Sequence, residues 1–231
     1  MYHKRITGQR HLVHYKQPTY RKMPLLNCKH GFVEQYLNRL YKVLLKSTRT
    51  NAKVFAVRVD LRFPDYYRAP LDGRLSNDYL HRFFRFLRLG MQDYKVKKAR
   101  QGIRVQGIGF QYAWAREYGP ESGKPHFHIL LFFNGQSFRS VGRFDSEVDS
   151  LYTRLGEAWA NALGLHVGDG GRLISFPERG QQMLLSSDDE AIAWLFCRSS
   201  YLAKVESKDF HEGYHVFGSS RLGKDRGRDT I

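Results

Sequence analysis

The residues Lys124-Pro125-His126-Phe127-His128-Ile129-Leu130-Leu131-Phe132-Phe133 contain an apolar run that predicts a buried β-strand. Side chains alternate between the two faces of a strand, so His126 and His128 share one face while Phe127 and Ile129 share the other. Two imidazoles at the entrance of a strand can bind a divalent metal, although ordinary strand histidines show the same spacing. The stretch therefore predicts a metal site whose remaining ligand lies elsewhere in the chain.

A second predicted strand, Ile103–Glu117, precedes the histidine strand and is joined to it by a loop at 118–125. So short a connection predicts an antiparallel hairpin in which Glu117 faces His126 across the loop. Directly opposed residues lie on one face of a sheet, so Glu117 can complete a His-His-Glu ligand set, and the small side chain of Ala115 leaves room beside it. These ligand types suit Mg²⁺ or Mn²⁺ acting on phosphate, and Zn²⁺ accepts them too.

The other apolar patterns predict an α+β fold, a central antiparallel β-sheet flanked by helices. Alternation predicts a strand at Val54–Phe63 and a short one at Arg172–Phe176. Helical spacing and capping residues predict helices at about 32–46, at 78–98 after an Asn77 cap, from Asp145 or Ser146 to Leu163, and from Ser187–Glu190 through Lys204.

The chain divides by charge and periodicity into two predicted parts. Residues 1–50 are expected to form a basic arm, extended up to about residue 30, followed by the first helix. Residues 51–231 are expected to form the main domain, with a loose basic tail from about Gly218.

The last predicted helix carries the motif Tyr201-Leu202-Ala203-Lys204. At about 3.6 residues per turn, Tyr201 lies opposite the apolar stripe of this helix, with Lys204 one turn on. A neighbouring ammonium stabilises a phenolate or binds the phosphate that the phenolate attacks, so Tyr201 and Lys204 are candidate catalytic residues. A packed tyrosine on an amphipathic helix is the alternative.

Asp60 lies on the strand face that carries Arg58 and Arg62. Pairing with these two arginines is its expected role, and a position beside the metal is the alternative.

The formal net charge of +16 at pH 7 makes nucleic acid the expected partner. Residues 1–50 hold 11 lysines and arginines against one acid, Glu34, with tyrosines and histidines interleaved. A solubilising basic tail is the alternative. The residues expected to contact DNA are Lys4, Arg5, Arg10, Arg21, Lys22, Arg82, Arg85 and Arg198.

No apolar run of about 18 residues is present, so no membrane span is expected. Met1–Arg5 lacks the apolar stretch of a secretory signal, which favours a cytoplasmic location. Cys28 and Cys197 are too few to indicate a disulfide framework.

The order of these features resembles the HUH endonucleases, specifically rolling-circle replication initiators of the inovirus type found in filamentous phages and prophages. The resemblance rests on the apolar strand Val54–Phe63, on Pro125-His126-Phe127-His128-Ile129 and on Tyr201-Leu202-Ala203-Lys204, in that order. The ending Tyr201–Glu206 followed by Phe217–Arg221 is also similar to inovirus-type initiators, and the resemblance covers roughly residues 52–221.

The resemblance implies an RRM-like palm that nicks and rejoins single-stranded origin DNA with Mg²⁺ or Mn²⁺ in a bacterial host cell. Tyr201 would form a 5′-phosphotyrosine, and Lys204 would orient the phosphate. The next tyrosine, Tyr214, lies 13 residues on, which favours a single-tyrosine cycle. No Gly-x-x-x-x-Gly-Lys-Ser/Thr loop is present, so a helicase would come from the host replication machinery.

Two other functions fit the same features. A single-tyrosine HUH transposase has the same motif order, whereas relaxases place the tyrosine before the histidines. A non-catalytic DNA-binding regulator of a phage or prophage could use the same scaffold.

Overall fold

The computed structural model describes residues 5–6, 8–68, 75–119, 123–144, 149–210 and 213–222. Lys4 and the predicted helix start at Asp145 or Ser146 lie outside these residues. The helices within them are Glu34–Thr50 (α1), Asp78–Arg100 (α2), Leu151–Leu163 (α3) and Asp189–Ser199 (α4). The strands are Arg5–Ile6 (β1), Gln9–Tyr15 (β2), Thr19–Tyr20 (β3), Met23–Pro24 (β4), Phe32–Val33 (β5), Lys53–Arg62 (β6), Phe110–Tyr118 (β7), Pro125–Asn134 (β8), Ile174–Ser175 (β9), Gln181–Leu185 (β10) and Phe217–Ser219 (β11).

A six-stranded antiparallel sheet forms the centre of the fold, in the order β10-β6-β8-β7-β11, with β9 also paired to β6. The predicted hairpin is confirmed, because β7 and β8 pair with Glu117 opposite His126. On its other side β8 pairs with β6, which places Arg62 opposite His126 and Asp60 opposite His128. The predicted α+β class, a large antiparallel sheet flanked by helices, is confirmed.

Each face of the sheet packs against a different pair of helices. Val57 and Phe127 belong to the core beneath α2 and α3, where Trp159 is fully buried. Ala56 and Leu130 lie on the opposite face, beneath α1 and α4. The central strands are therefore apolar on both faces over most of their length, as their near-continuous hydrophobic sequences require. No helix within the described residues is long and apolar enough to cross a membrane.

The N-terminal segment is folded onto the domain, so the expectation of an extended arm is wrong for its described residues. β1, β2 and β5 form a small three-stranded sheet, and β3 pairs with β4. Tyr20 is buried against Phe196 of α4, with ring centroids 6.2 Å apart. The buried residues of the segment are too widely spaced to show a period, so only their tertiary partners reveal them. The division at residue 50 stays a prediction, although both parts contribute to one core.

Several predicted boundaries differ from the structure. β7 begins at Phe110 instead of about Ile103, because the glycine-rich residues 107–109 disfavour a strand. α3 begins at Leu151, where the Ser150 hydroxyl accepts a hydrogen bond from the Thr153 amide. Strand β10 was not predicted at all. The short strand expected at 172–176 is β9 alone, preceded by a 3₁₀ helix at Val167–Leu173.

The two ends of the C-terminal segment also differ from expectation. α4 ends at Ser199 and is followed by a 3₁₀ turn, Ser200–Ala203, so the predicted helix through Lys204 is wrong in its last turn. The tail is predicted to be loose from about Gly218, but its described residues, 218–222, lie against the domain. Phe217–Ser219 pairs with β7, and Ser220 is buried.

The substitution Tyr20→Ala tests whether the N-terminal segment is packed on the domain or is a loose arm. Tyr20→Ala is expected to lower the free energy of unfolding by about 3–5 kcal/mol, because it removes a buried aromatic ring. His11→Ala, at an exposed position of the same segment, should change it by less than about 0.5 kcal/mol. Urea denaturation of both variants measures the difference, and equal small effects would show that the segment does not stabilise the fold.

Candidate metal centre

Glu117, His126 and His128 meet at one end of the central sheet and could hold a metal ion. Their candidate ligand atoms all lie within 4.8 Å of one another. The Nε2 atoms of the two histidines are 3.1 Å apart, and His128 Nε2 lies 3.3 Å from Glu117 Oε2. The hairpin register produces this cluster, as the sequence predicted, because β7 and β8 place all three side chains on the same face.

Asp60 fixes the orientation of the His128 ring. Its Oδ1 lies 2.7 Å from His128 Nδ1, so a proton on Nδ1 donates to the carboxylate and Nε2 is the ring nitrogen that would bind a metal. Arg58 Nη2 also lies 2.9 Å from Nδ1, but Nη2 and a protonated Nδ1 are both donors. The Asp60 carboxylate is therefore the hydrogen-bond acceptor for Nδ1–H. Burial opposes ionisation of Asp60, yet His128 and Arg58 together lower its pKa.

The predicted role of Asp60 is therefore corrected. Asp60 does pair with Arg58, whose Nε lies 3.2 Å from its Oδ1, but it is equally a partner of His128. The antiparallel pairing of β6 with β8 places Asp60 directly opposite His128, which the sequence of either strand alone does not reveal.

Two lysines engage the Glu117 carboxylate. Lys208 Nζ lies 2.5 Å from Oε1, and Lys204 Nζ lies 3.6 Å from Oε2. Burial would raise the pKa of Glu117, but hydrogen bonding to His128 and the Lys208 charge hold it far below its usual range. Burial lowers the pKa of Lys208 to about 8, so both members of the pair stay charged near pH 7.

Lys208 is a residue of the site that the sequence did not identify. Its side chain is fully buried although it lies in an irregular segment, and its partner Glu117 is 91 residues away. The one available signal was a second lysine four residues after Lys204. That signal is weak, because lysine pairs of this spacing are common on exposed surfaces.

His126 is in the protonation state that a metal ligand needs. Burial, together with the nearby His128 and Arg62, lowers the pKa of His126 to about 4. The imidazole is therefore neutral at pH 7. Two imidazole nitrogens, an ionised carboxylate and Asp60 as an outer partner make a donor set that fits a divalent metal ion.

Tyr201 and Lys204 lie next to this cluster. The Tyr201 ring packs edge-on against the His128 ring, with centroids 5.6 Å apart. Lys204 Nζ lies 3.7 Å and Arg58 Cζ 4.6 Å from the Tyr201 ring centroid, so two cations face one aromatic ring. The structure thus brings all five predicted catalytic and metal residues together.

The β5 segment explains why the chain leaves the α4 helix at this point. Phe32 pairs with Lys204 in an antiparallel bridge, and the Val205 amide donates to the Gly31 carbonyl at 3.0 Å. The Ser200 hydroxyl donates to the Cys197 carbonyl at 2.6 Å inside the last turn. These contacts close the helix and direct Lys204 towards Glu117.

The residues predicted to bind DNA are spread over several surfaces. Arg198 is half-buried and lines a cavity together with Tyr201. Arg82 and Arg85 are exposed on α2, which covers the sheet face opposite the metal cluster. The remaining described members of the set are exposed on the N-terminal segment, namely Arg5, Arg10, Arg21 and Lys22.

Removing the outer partner of His128 tests the metal centre. Asp60→Asn is expected to weaken Mn²⁺ binding by about 10–100-fold, because the His128 ring loses the charged group that orients it. Isothermal titration calorimetry with Mn²⁺ alone measures the affinity. Asp93→Asn, on the exposed surface of α2, is the matched control and should bind as wild type. Unchanged affinity in Asp60→Asn would remove Asp60 from the site.

A double-mutant cycle tests the buried ion pair. Lys208→Met is expected to lower the free energy of unfolding by about 3–5 kcal/mol, because it leaves the Glu117 charge buried beside one fewer cation. Lys95→Met, at an exposed position, should have a small effect. The double variant Glu117→Leu with Lys208→Met should cost less than the sum of its single changes. Simple additivity would contradict a direct pair.

Comparison with known proteins places the chain in a family. Residues 15–220, which include all the residues of the site, match the family model of the YagK/YfjJ C-terminal domain. The uncharacterized protein YagK of Escherichia coli K12 is 33% identical over 201 residues, covering 84% of this chain and 96% of YagK. The uncharacterized protein YfjJ of the same strain is 28% identical over 198 residues, covering 82% of this chain and 95% of YfjJ. No solved structure matches the chain. The chain belongs to the YagK/YfjJ C-terminal domain family.

Proposed function

We propose that this protein is a metal-dependent endonuclease of the HUH type that nicks and rejoins single-stranded DNA through Tyr201. The observation that carries this proposal is the position of Tyr201 and Lys204 beside Glu117, His126 and His128. These residues come from β7, β8 and the turn after α4, so three separate segments of the chain supply them.

The chemistry requires a nucleophile, positive charge near the phosphate, and ligands for a cofactor. The Tyr201 oxygen would form a bond to phosphorus while the bond from phosphorus to the 3′ oxygen breaks. The phenol loses one proton and the 3′ oxygen gains one, so the step is balanced without a further reactant. A 5′-phosphotyrosine retains the energy of the broken bond, so a 3′-hydroxyl can later reverse the step and rejoin the strand.

The protein's own cations would act on the phosphate and on the nucleophile. Lys204 and Arg58 lie close enough to the Tyr201 ring to attract negative charge that develops on its oxygen or on an incoming phosphate. Glu117, His126 and His128 would hold Mg²⁺ or Mn²⁺, which supplies positive charge to the phosphoryl oxygens when bound.

The charge of the chain favours DNA as the substrate. A net charge of +16 includes exposed arginines on both the N-terminal segment and α2. On the resemblance to rolling-circle initiators, the substrate would be an origin in the cytoplasm of a bacterial host. Strand separation would then fall to the host helicase and replication machinery.

Covalent capture of DNA tests the proposed nucleophile. Wild-type protein incubated with a library of labelled single-stranded oligonucleotides and Mn²⁺ is expected to give a protein–DNA adduct on a denaturing gel. Tyr201→Phe should give none, because it lacks the attacking oxygen while keeping the ring that packs on His128. Tyr214→Phe is the matched control and should form the adduct, since the Tyr214 ring instead contacts Arg116, at 4.6 Å from Cζ.

Two results would contradict the proposal. An adduct with Tyr201→Phe would assign the nucleophile to another residue. Tight DNA binding without any adduct in wild type would favour the non-catalytic regulator. The double variant His126→Ala with His128→Ala should abolish the adduct and spare salt-sensitive DNA binding, because the phosphate-contacting cations remain.

A further inference from the structure

A cavity of about 200 Å³ opens beside Tyr201, and its lining does not include Glu117, His126 or His128. Its walls come from the N-terminal segment, from β6, β8 and α4, and from the turn that precedes β10. Tyr201 and Arg58 belong both to this cavity and to the cluster around His128. A ligand in the cavity would therefore touch the nucleophile itself.

The lining divides into an apolar part and a cationic part. Four leucines supply the apolar part, namely Leu26, Leu130, Leu195 and Leu202. Three arginines supply the cationic part, namely Arg58, Arg179 and Arg198. Such a combination fits a flat, largely apolar ring attached to an anion.

A turn at residues 177–180 connects the three arginines of the cavity. Arg179 adopts a positive φ of 54° in a turn closed by the Gly180 amide, which donates to the Pro177 carbonyl at 2.8 Å. The Arg58 amide donates to the Gly180 carbonyl at 2.7 Å, which ties this turn to β6. Arg198 Nη2 donates to the Glu178 carbonyl at 3.0 Å, which ties it to α4.

The size of the cavity restricts its occupant. Sites for drug-sized ligands measure about 300–1,000 Å³, so a cavity of about 200 Å³ accommodates one small ring system. The Arg179 side chain is 78% exposed at the rim, where a phosphate could reach it from solvent. Gln182 adds a polar group to the lining, and its side-chain Nε2 donates to the Ala191 carbonyl at 3.3 Å.

We propose that this cavity binds one unstacked nucleobase of single-stranded DNA, adjacent to the phosphodiester presented to Tyr201. The leucines would contact the ring and the arginines the flanking phosphates. A base held next to the nucleophile would position the bond to be cut, and the Gln182 amide would give it sequence preference. This inference rests on the proposed function for its substrate and adds the subsite that positions it.

Photocrosslinking tests the cavity without requiring cleavage. The probe is a single-stranded oligonucleotide library in which one 4-thiothymidine occupies each position in turn, and the protein is Tyr201→Phe. Irradiation followed by peptide mass spectrometry is expected to place crosslinks in the peptides containing Leu26, Gln182 and Leu195. Crosslinks confined to other surfaces would overturn the inference.

Filling the cavity is the second test. Leu26→Trp is expected to weaken oligonucleotide binding by about tenfold or more, because stacked bases contribute about 1–3 kcal/mol each and Leu26 is a half-buried wall residue. Leu89→Trp, at an exposed position of α2, is the matched control and should bind as wild type. Arg179→Ala should reduce the slope of log affinity against log salt by about 0.7, the loss of one single-strand phosphate contact.

The outcomes separate this inference from the proposed function. Adduct formation with wild-type affinity and crosslinking in Leu26→Trp would overturn the cavity inference and leave the nuclease intact. Crosslinks in the cavity without any adduct in wild-type protein would support a DNA-binding cavity and overturn the nuclease. A melting temperature of Leu26→Trp within a few degrees of wild type is the condition for reading its binding data. If that variant unfolds, the crosslinks in Tyr201→Phe decide.

Discussion

The antiparallel register of β6, β8 and β7 is the constraint on which the site depends. It sets His126 opposite Glu117 and His128 opposite Asp60, with the small Ala115 on the other side of His128. Because side chains alternate along a strand, a shift of one residue would turn both histidines into the core beneath α2 and α3. Apolar residues are buried on both faces of β8, so the strand that carries the two histidines is itself part of the core.

The site concentrates charge in a place where charge is costly. Asp60, Glu117, Lys204 and Lys208 are all buried, and an isolated buried charge is unfavourable by several kcal/mol. Their arrangement offsets this cost, because each carboxylate faces at least one cation at hydrogen-bond or ion-pair distance. Lys208 engages one oxygen of Glu117, and the other oxygen lies towards His128. The ion pair thereby orients the carboxylate that completes the ligand set.

The N-terminal segment links the basic surface to the site. Phe32 pairs with Lys204, and Leu26 lines the cavity beside Tyr201. The Leu26 amide also donates a hydrogen bond to the Ser200 hydroxyl oxygen at 3.1 Å. A segment that looks like a basic tail in the sequence is therefore part of the wall around the proposed nucleophile. Its contribution would be to shape the site as well as to attract DNA.

Local pattern predicts the hairpin and its three candidate metal ligands. Alternation in β8, the short connection to β7 and the period of two place Glu117, His126 and His128 on one face without further information. Other features become visible only in the folded protein, namely the roles of Asp60 and Lys208, the strand β10, the folded N-terminal segment and the end of α4 at Ser199. These depend on contacts between distant parts of the chain, such as the 91 residues between Glu117 and Lys208. Hydrophobic periodicity indicates the secondary structure of a segment and which of its faces is buried. It carries no information about which distant side chain neutralises a buried charge.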